Sequence, residues 1–230
     1  MRAAWLRRLV FPPRCPICGR VIGFLPRCEE CAAGLPQLLR ELGQPVDKPG
    51  HQLEFLEAAY APFWYEPPVR TTVLNAKYEG RRDALDFLSG AMADTLRAAG
   101  ETADLIVPVP SHPRAVRRRG HDTALLFAQA LAAHLCLPVR TDILWKTADT
   151  PPQHTLPAER RKVNLLGAFE VRTPQAAEGR RILLVDDILT TGATLNECAK
   201  MLMAAGADAC VAVCGALART PVRGRTEDGM

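Results

Sequence analysis

Apolar positions along this chain fall into short dense blocks whose spacing alternates between a strand-like and a helix-like period. A strand-like segment covers Ala58 to Tyr65, and a further apolar segment runs from Val69 to Tyr78. An Ala/Leu-rich helix is expected from about Asp83 to Ala99, stopped by Gly100. The continuous apolar run Leu105 to Val109 is what a parallel strand buried on both faces requires. A second helix, Asp122 to Leu135, carries Leu126, Phe127, Ala130, Leu131 and His134 at helical spacing, so His134 is expected to pack on its apolar face. Val139 to Trp145 has strand character, and periodicity is then lost from Thr147 to about Leu165. It returns with a strand at Ile182 to Val185, a helix from about Thr194 to Ala205 capped by Gly206, and a strand from Cys210 to Cys214. Strands alternating with helices predict a parallel α/β sheet.

Before these elements, Gly43, Pro45, Pro49 and Gly50 punctuate a polar stretch of linker character. The chain is therefore expected to divide into a small module over residues 1–48, an α/β domain over residues 49–220, and a flexible tail over residues 221–230. At 230 residues and 48% hydrophobic content there is enough apolar material for one substantial core. A net charge of +4 and a pI near 8.7 suit phosphate-bearing ligands and fall short of the balance of a dedicated nucleic-acid binder. No apolar run approaches the roughly 20 residues of a membrane-spanning helix. Arg7, Arg8, Pro12 and Pro13 interrupt the first apolar stretch, so a cytoplasmic location is expected.

Four of the eight cysteines sit in two tight pairs, Cys15-Pro-Ile-Cys18 and Cys28-Glu-Glu-Cys31, separated by nine residues. In each pair a single tight turn brings two thiolates towards one ion, and together they supply the tetrahedral four-sulfur shell that Zn²⁺ favours. A closed shell is structural rather than catalytic. The competing readings are two unrelated reduced pairs or a redox CxxC, and duplicated knuckles without a preceding βαβ pattern count against the latter. The intervening loop is shorter than the common zinc-ribbon spacing. Cys136, Cys198, Cys210 and Cys214 lie in apolar surroundings and are expected to behave as small buried hydrophobes.

The most informative segment is Ile182 to Thr194, ILLVDDILTTGAT, read as a strand, two acidic residues, and a small-residue turn that opens a helix. Turns at the carboxyl end of a parallel sheet are where α/β proteins place ligands, and N–H groups at a helix N-terminus make an anion site. A phosphate belongs at Thr190, Thr191, Gly192, Ala193 and Thr194. Asp186 and Asp187 would repel it, so they must address something else on the same ligand, and the hydroxyls of a ribose fit.

This segment resembles the phosphoribosyl pyrophosphate motif of type I phosphoribosyltransferases over thirteen unbroken positions. Taken with the cysteine module, VPVPSHPRAVRRRGHDTA and QHTLPAERRKVNLLGAF, nearly the whole chain resembles the late-competence ComF family. The resemblance implies an α/β parallel-sheet type I phosphoribosyltransferase fold with a small N-terminal four-cysteine zinc module. It gives Asp186 and Asp187 the ribose contacts, Thr190 to Thr194 the phosphate, and Mg²⁺ a place bridging pyrophosphate and ribose. Arg114, Arg117, Arg118, Arg119 and Gly120, which follow the Val107 to Pro110 run, fall where the fold places its pyrophosphate loop; a solvated basic loop is the plainer alternative. The family pattern has an aromatic residue and Asn after that glycine, where this chain has His121 and Asp122; Asp122 also suits a helix N-cap. Thr150 to Asn164 resembles the mobile loop that closes over such sites, with Arg160, Arg161 and Lys162 at its tip as catalytic cations, the alternative being a surface loop. Lys77, in NAKYEG, matches a KYxG element of the family.

Two functions of different classes follow. One is an enzyme that transfers a phosphoribosyl group to a nitrogenous acceptor. The other is a non-catalytic accessory protein of DNA uptake in natural competence, contacting single-stranded DNA or a partner protein. Arg117 to Arg119 lack the interleaved aromatics that stack bases, which weighs against DNA contact there.

Overall fold

A computed structural model of the protein describes residues 12–22, 25–147 and 167–219. The helices are α1 (Glu29–Gly34), α2 (Val69–Glu79), α3 (Arg82–Ala98), α4 (Pro113–Arg119), α5 (Thr123–Leu135) and α6 (Ala193–Ala204). The strands are β1 (Ala58–Tyr60), β2 (Phe63–Trp64), β3 (Leu105–Pro108), β4 (Leu144–Lys146), β5 (Phe169–Val171), β6 (Arg181–Leu189) and β7 (Ala209–Leu217).

The main sheet is parallel throughout, in the order β1-β7-β6-β3, with β2 continuing beside β7 beyond β1. Alternation along β6 sorts its side chains between two cores. Leu183 and Val185 pack with Leu88 and Met92 of α3 and with Phe127 and Leu131 of α5, while Ile182 and Leu184 pack with Leu195, Cys198 and Leu202 of α6. Burial on both faces is why β7 is buried at every position and reads as an unbroken apolar run.

The cysteine module shares the first of these cores. Cys15, Ile17, Ile22, Cys31, Leu35 and Leu38 are buried in one cluster with Val69, Val73 and Ala76 of α2. The Gly/Pro-punctuated stretch that follows also lies on the α/β body: Val46 is buried, and its N–H donates to the Ala59 carbonyl at 2.7 Å.

Several elements depart from the sequence expectation. The segment beginning at Val69 is helical and ends at Gly80, whose φ of +59° closes the cap. Val139 to Trp145 is not one strand. Val139 makes a single parallel bridge to Ile106, and the chain then leaves the main sheet so that Leu144–Lys146 can pair antiparallel with β5. The strand expected at Ile182 to Val185 runs on to Leu189, so the two acidic residues lie within it. The basic turn after β3 is the short helix α4, with Pro113 in its first turn and Gly120 (φ +84°) as its left-handed cap. His134 is only partly buried and faces Asp86 at 3.4 Å instead of packing in the core. Cys136 is exposed and ends α5 with φ +57°, whereas Cys198, Cys210 and Cys214 are buried as expected.

Candidate functional site

The carboxyl edge of the sheet gathers the candidate residues from three connections. Asp186 and Asp187 are the sixth and seventh of the nine residues of β6, an inner strand of the sheet. Their adjacency in a strand sends the two side chains to opposite faces. Asp187, 8% exposed, points to the α2 side and forms an ion pair with Lys77. Asp186 is oriented from within, its carboxylate accepting the Asp187 N–H at 2.8 Å.

The electrostatics differ accordingly. Burial, followed by the neighbouring Asp187 charge, pushes the Asp186 carboxyl up to about 8, with Lys77 acting against the rise. Burial alone would lower the Lys77 ammonium, but Asp187 outweighs it and the net shift is upward. The consequence for stability has a definite sign. Folded Asp186 keeps its proton up to about 8, whereas an unfolded aspartate releases it near pH 4, so this group withdraws stability as pH rises through that window. Asp186→Asn, which retains the acceptor oxygen, should therefore melt at about the same temperature as the parent near pH 4. By pH 8 it should be the more stable of the two, by up to about 5 kcal/mol. Melting curves across pH 4–9 that stay parallel for the two proteins would rule this out.

Beyond β6, Thr190 to Gly192 turn into α6, with Gly192 (φ +80°) as its N-cap. The Thr191 hydroxyl accepts from the Ala193 N–H at 3.4 Å. A segment with no sequence signal braces this turn. The Gln52 N–H donates to the Thr191 carbonyl at 2.8 Å, the Phe55 N–H donates to Asn196 Oδ1 at 2.9 Å, and Leu53 lies against Gly192. These contacts join residues far apart in the chain, 141 positions for Phe55 and Asn196, so no local pattern could have announced them.

From the β3 side, α4 contributes the basic residues. Arg114, Arg117 and Arg118 are exposed, and Arg119 turns inward. Arg119 donates through Nη2 to Ser111 Oγ at 2.9 Å, while its buried Nε has no hydrogen-bond partner among the described residues. Such a donor normally finds an acceptor, so the orphan is what a bound anion would satisfy. Asp122 has a structural part. It caps α5 by accepting from the Ala124 N–H at 3.2 Å, and it also accepts from the Ser111 N–H and hydroxyl, each at 3.1 Å. His121 Nε2 lies 3.0 Å from the Lys77 carbonyl, joining this loop to the end of α2. Arg160, Arg161 and Lys162 lie outside the described residues, as does the Thr150 to Asn164 segment.

Away from this edge, the sulfurs of Cys15, Cys18, Cys28 and Cys31 all lie within 4.8 Å of one another. Cys18 and Cys28 Sγ are 3.6 Å apart, close to the edge of about 3.8 Å that a tetrahedron with roughly 2.3 Å metal–sulfur bonds requires. The first pair sits in a turn closed by the Gly19 N–H donating to the Cys15 carbonyl at 2.9 Å, with Gly19 at φ +79°. The second pair is not in a tight turn: Cys28 is the N-cap of α1 and Cys31 lies in that helix. Burial tends to raise the Cys15 thiol, but backbone donors from Cys18, Cys28 and Ile17 outweigh it and bring it to about 6. Cys31 is driven up by burial and by its sulfur neighbours. Four sulfurs converging this closely make a donor set that fits a thiophilic metal.

A parallel sheet with an acid pair, an adjoining Gly-headed helix turn and an attached four-cysteine cluster defines the class: a phosphoribosyltransferase-fold protein with a four-cysteine module. The phosphoribosyl transferase domain family matches residues 121–226. DNA utilization protein YhgH of Escherichia coli K12 is 32% identical over 203 residues, covering 85% of this chain and 86% of that protein. Competence protein F of Haemophilus influenzae is 28% identical over 200 residues, covering 84% and 86%. The chain belongs to the ComF family. Among solved structures, glutamine phosphoribosylpyrophosphate amidotransferase from B. subtilis aligns at a TM-score of 0.41 and 21% identity over 61% of this chain, which spans only 30% of that enzyme. Among the described residues no helix is long and apolar enough to cross a membrane.

Proposed function

We propose that this protein binds phosphoribosyl pyrophosphate, or a related ribose phosphate, at the carboxyl edge of its sheet and serves a cytoplasmic step in the handling of incoming DNA. The observation that carries the ligand is the direct run of the acid pair of β6 into the Gly192 turn at the head of α6. In this reading Asp186 and Asp187 accept hydrogen bonds from ribose hydroxyls. Thr190, Thr191, Gly192, Ala193 and Thr194 hold the 5′-phosphate at the helix N-terminus, and Arg119 offers its orphaned Nε to the diphosphate. Arg114, Arg117, Arg118 and Gly120 complete that basic side. Mg²⁺ is a hard cation that takes oxygen ligands, and it would enter with the ligand's own phosphate and hydroxyl oxygens to screen the diphosphate.

Holding ribose and phosphate in fixed relative positions is the entropic part of catalysis in a glycosyl transfer. An acceptor nitrogen attacking the ribose carbon would displace pyrophosphate, with Arg160, Arg161 and Lys162 as the cations of a closing loop. A non-catalytic accessory role is the second reading, and the relatives favour it, since their names refer to DNA utilization and competence. It would have the same pocket act as a sensor or scaffold beside single-stranded DNA or a partner of the uptake machinery. In both readings the four cysteines hold one structural Zn²⁺.

Calorimetric titration with phosphoribosyl pyrophosphate and Mg²⁺, followed by a pyrophosphate-release assay over a panel of bases, tests this directly. Saturable binding is expected, and the double variant Asp186→Ala, Asp187→Ala should lose it while remaining folded. Release would identify the enzyme, and binding without release the accessory protein. Unchanged affinity in the double variant, or no binding by the parent, would overturn the site.

A further inference from the structure

Lys77 ends inside the site described above, and its surroundings hold it there. Its side chain is 24% exposed and paired with Asp187, whose side chain is 11% exposed. The Lys77 carbonyl accepts from Thr123 Oγ1 at 3.5 Å and lies 3.0 Å from His121 Nε2, which ties the end of α2 to the loop preceding α5. Earlier in α2, Thr72 Oγ1 and Asn75 Nδ2 donate to the Ile17 carbonyl of the first cysteine knuckle at 3.4 and 3.3 Å. Just past α2, Arg81 donates to the Cys15 carbonyl at 3.0 Å. The helix is thus fastened to the cysteine module along its length and to the pocket at its end, leaving Lys77 little freedom to swing away.

Charge gives this placement a purpose. The end of β6 presents Asp186 and Asp187, Asp122 adds a third carboxylate nearby, and the Cys198 and Cys214 thiols face Asp186 from α6 and β7. Among the described residues Lys77 pairs with Asp187 and bears on Asp186, while Arg119, which bears on Lys77, is already tethered to Ser111. Without Lys77 an incoming phosphate would approach an uncompensated buried carboxylate, and like charges in a desolvated site repel strongly.

Resting on the ribose-phosphate reading, we propose that Lys77 is a positioning residue of that site. It neutralises Asp187 and fixes its carboxylate, so that an anionic ligand can approach the strand end. Lys77 does this through Asp187 and takes no part in bond making.

The test is calorimetry of the full-length, zinc-loaded protein with ribose 5-phosphate as probe. Lys77→Met should weaken binding by about tenfold or more, the scale on which one partner of a buried charge pair is missed. Lys77→Arg should retain most of the affinity. The double variant Lys77→Met, Asp187→Asn removes the carboxylate that Lys77 had paired and keeps an acceptor for a ribose hydroxyl. It should fold like the parent and regain binding to within about threefold, because neutralising both partners removes the buried charge penalty. Parent binding that persists undiminished in folded Lys77→Met would overturn the lysine's role alone. Loss that neither Lys77→Arg nor the double variant repairs would also overturn it, because a merely structural lysine behaves that way. If the parent itself does not bind, the ribose-phosphate reading fails and this inference falls with it.

Discussion

On the proposed zinc site, a chain carrying Cys15→Ser should lose its bound metal and much of its stability, far beyond what one buried side chain is worth. Cys15 and Ile17 are fully buried, and the knuckle they form is part of the core beneath α2 rather than a surface attachment. Removing one sulfur leaves three thiols crowded within 4.8 Å, with burial opposing the charge that a metal would otherwise compensate. Structural zinc contributes on the order of 10 kcal/mol to folding in small domains. Here part of that is cushioned by the apolar contacts of Ile17, Ile22, Leu35 and Leu38, so a loss of about 5 kcal/mol or more is expected. Metal analysis should give about one zinc per parent chain and none in the variant, and a chelator should depress the parent's melting temperature towards that of the variant. Cys136→Ser, at an exposed cysteine remote in sequence from the cluster, should change neither quantity. A metal-free parent that melts as high as the zinc-loaded protein would refute the structural site.

Gly192→Val should be the second severe change, and it acts at the ligand turn. Gly192 sits at φ +80°, where a β-branched residue is strongly disfavoured. A side chain there would also begin 2.6 Å from a Leu53 methyl and 2.8 Å from the Gln52 carbonyl oxygen. The leucine can move, but the carbonyl belongs to the backbone segment that donates to Thr191, so relief of the clash must pull the brace off the turn. We expect about 3–4 kcal/mol of destabilisation from strain and overpacking together. Phosphate-ligand affinity should fall below detection in a protein whose remaining fold is intact. Gly179, also at positive φ (+62°) with open space around it, is the control: Gly179→Ala should show the strain cost alone, about 1 kcal/mol, with affinity unchanged. Equal affinity in Gly192→Val and the parent would show that the turn does not hold the ligand.

Much of this protein was legible locally because the signals are local. Continuous apolar runs announced β3, β6 and β7, since burial on both faces forbids polar interruption. Gly100 and Asp122 marked helix limits through the same backbone hydrogen-bonding that they satisfy in the structure. CxxC spacing brings the two sulfurs of each pair together, in a turn for Cys15 and Cys18 and across one turn of α1 for Cys28 and Cys31. Where the expectation failed, a nonlocal force decided. Val139 to Trp145 has strand character along its length, yet only Val139 finds a partner in the main sheet, and Leu144 to Lys146 pair with a segment more than twenty residues later. The basic stretch at Arg114 to Arg119 looked like a loop because it has no apolar face; Pro113 in its first turn and Gly120 as its cap make it a helix.

The same division runs through the site. Sequence by itself determined the family, the parallel α/β architecture and the place of the acid pair ahead of its turn, because each is written in contiguous residues whose spacing dictates their geometry. Tertiary structure alone decided that Asp187 faces a lysine from α2, that Gln52 and Phe55 brace the turn, and that α2 joins the cysteine cluster to the pocket. Those contacts bring together residues separated by tens to more than a hundred positions. They depend on how helices seat against the sheet, which the order of the residues does not display and only packing can settle.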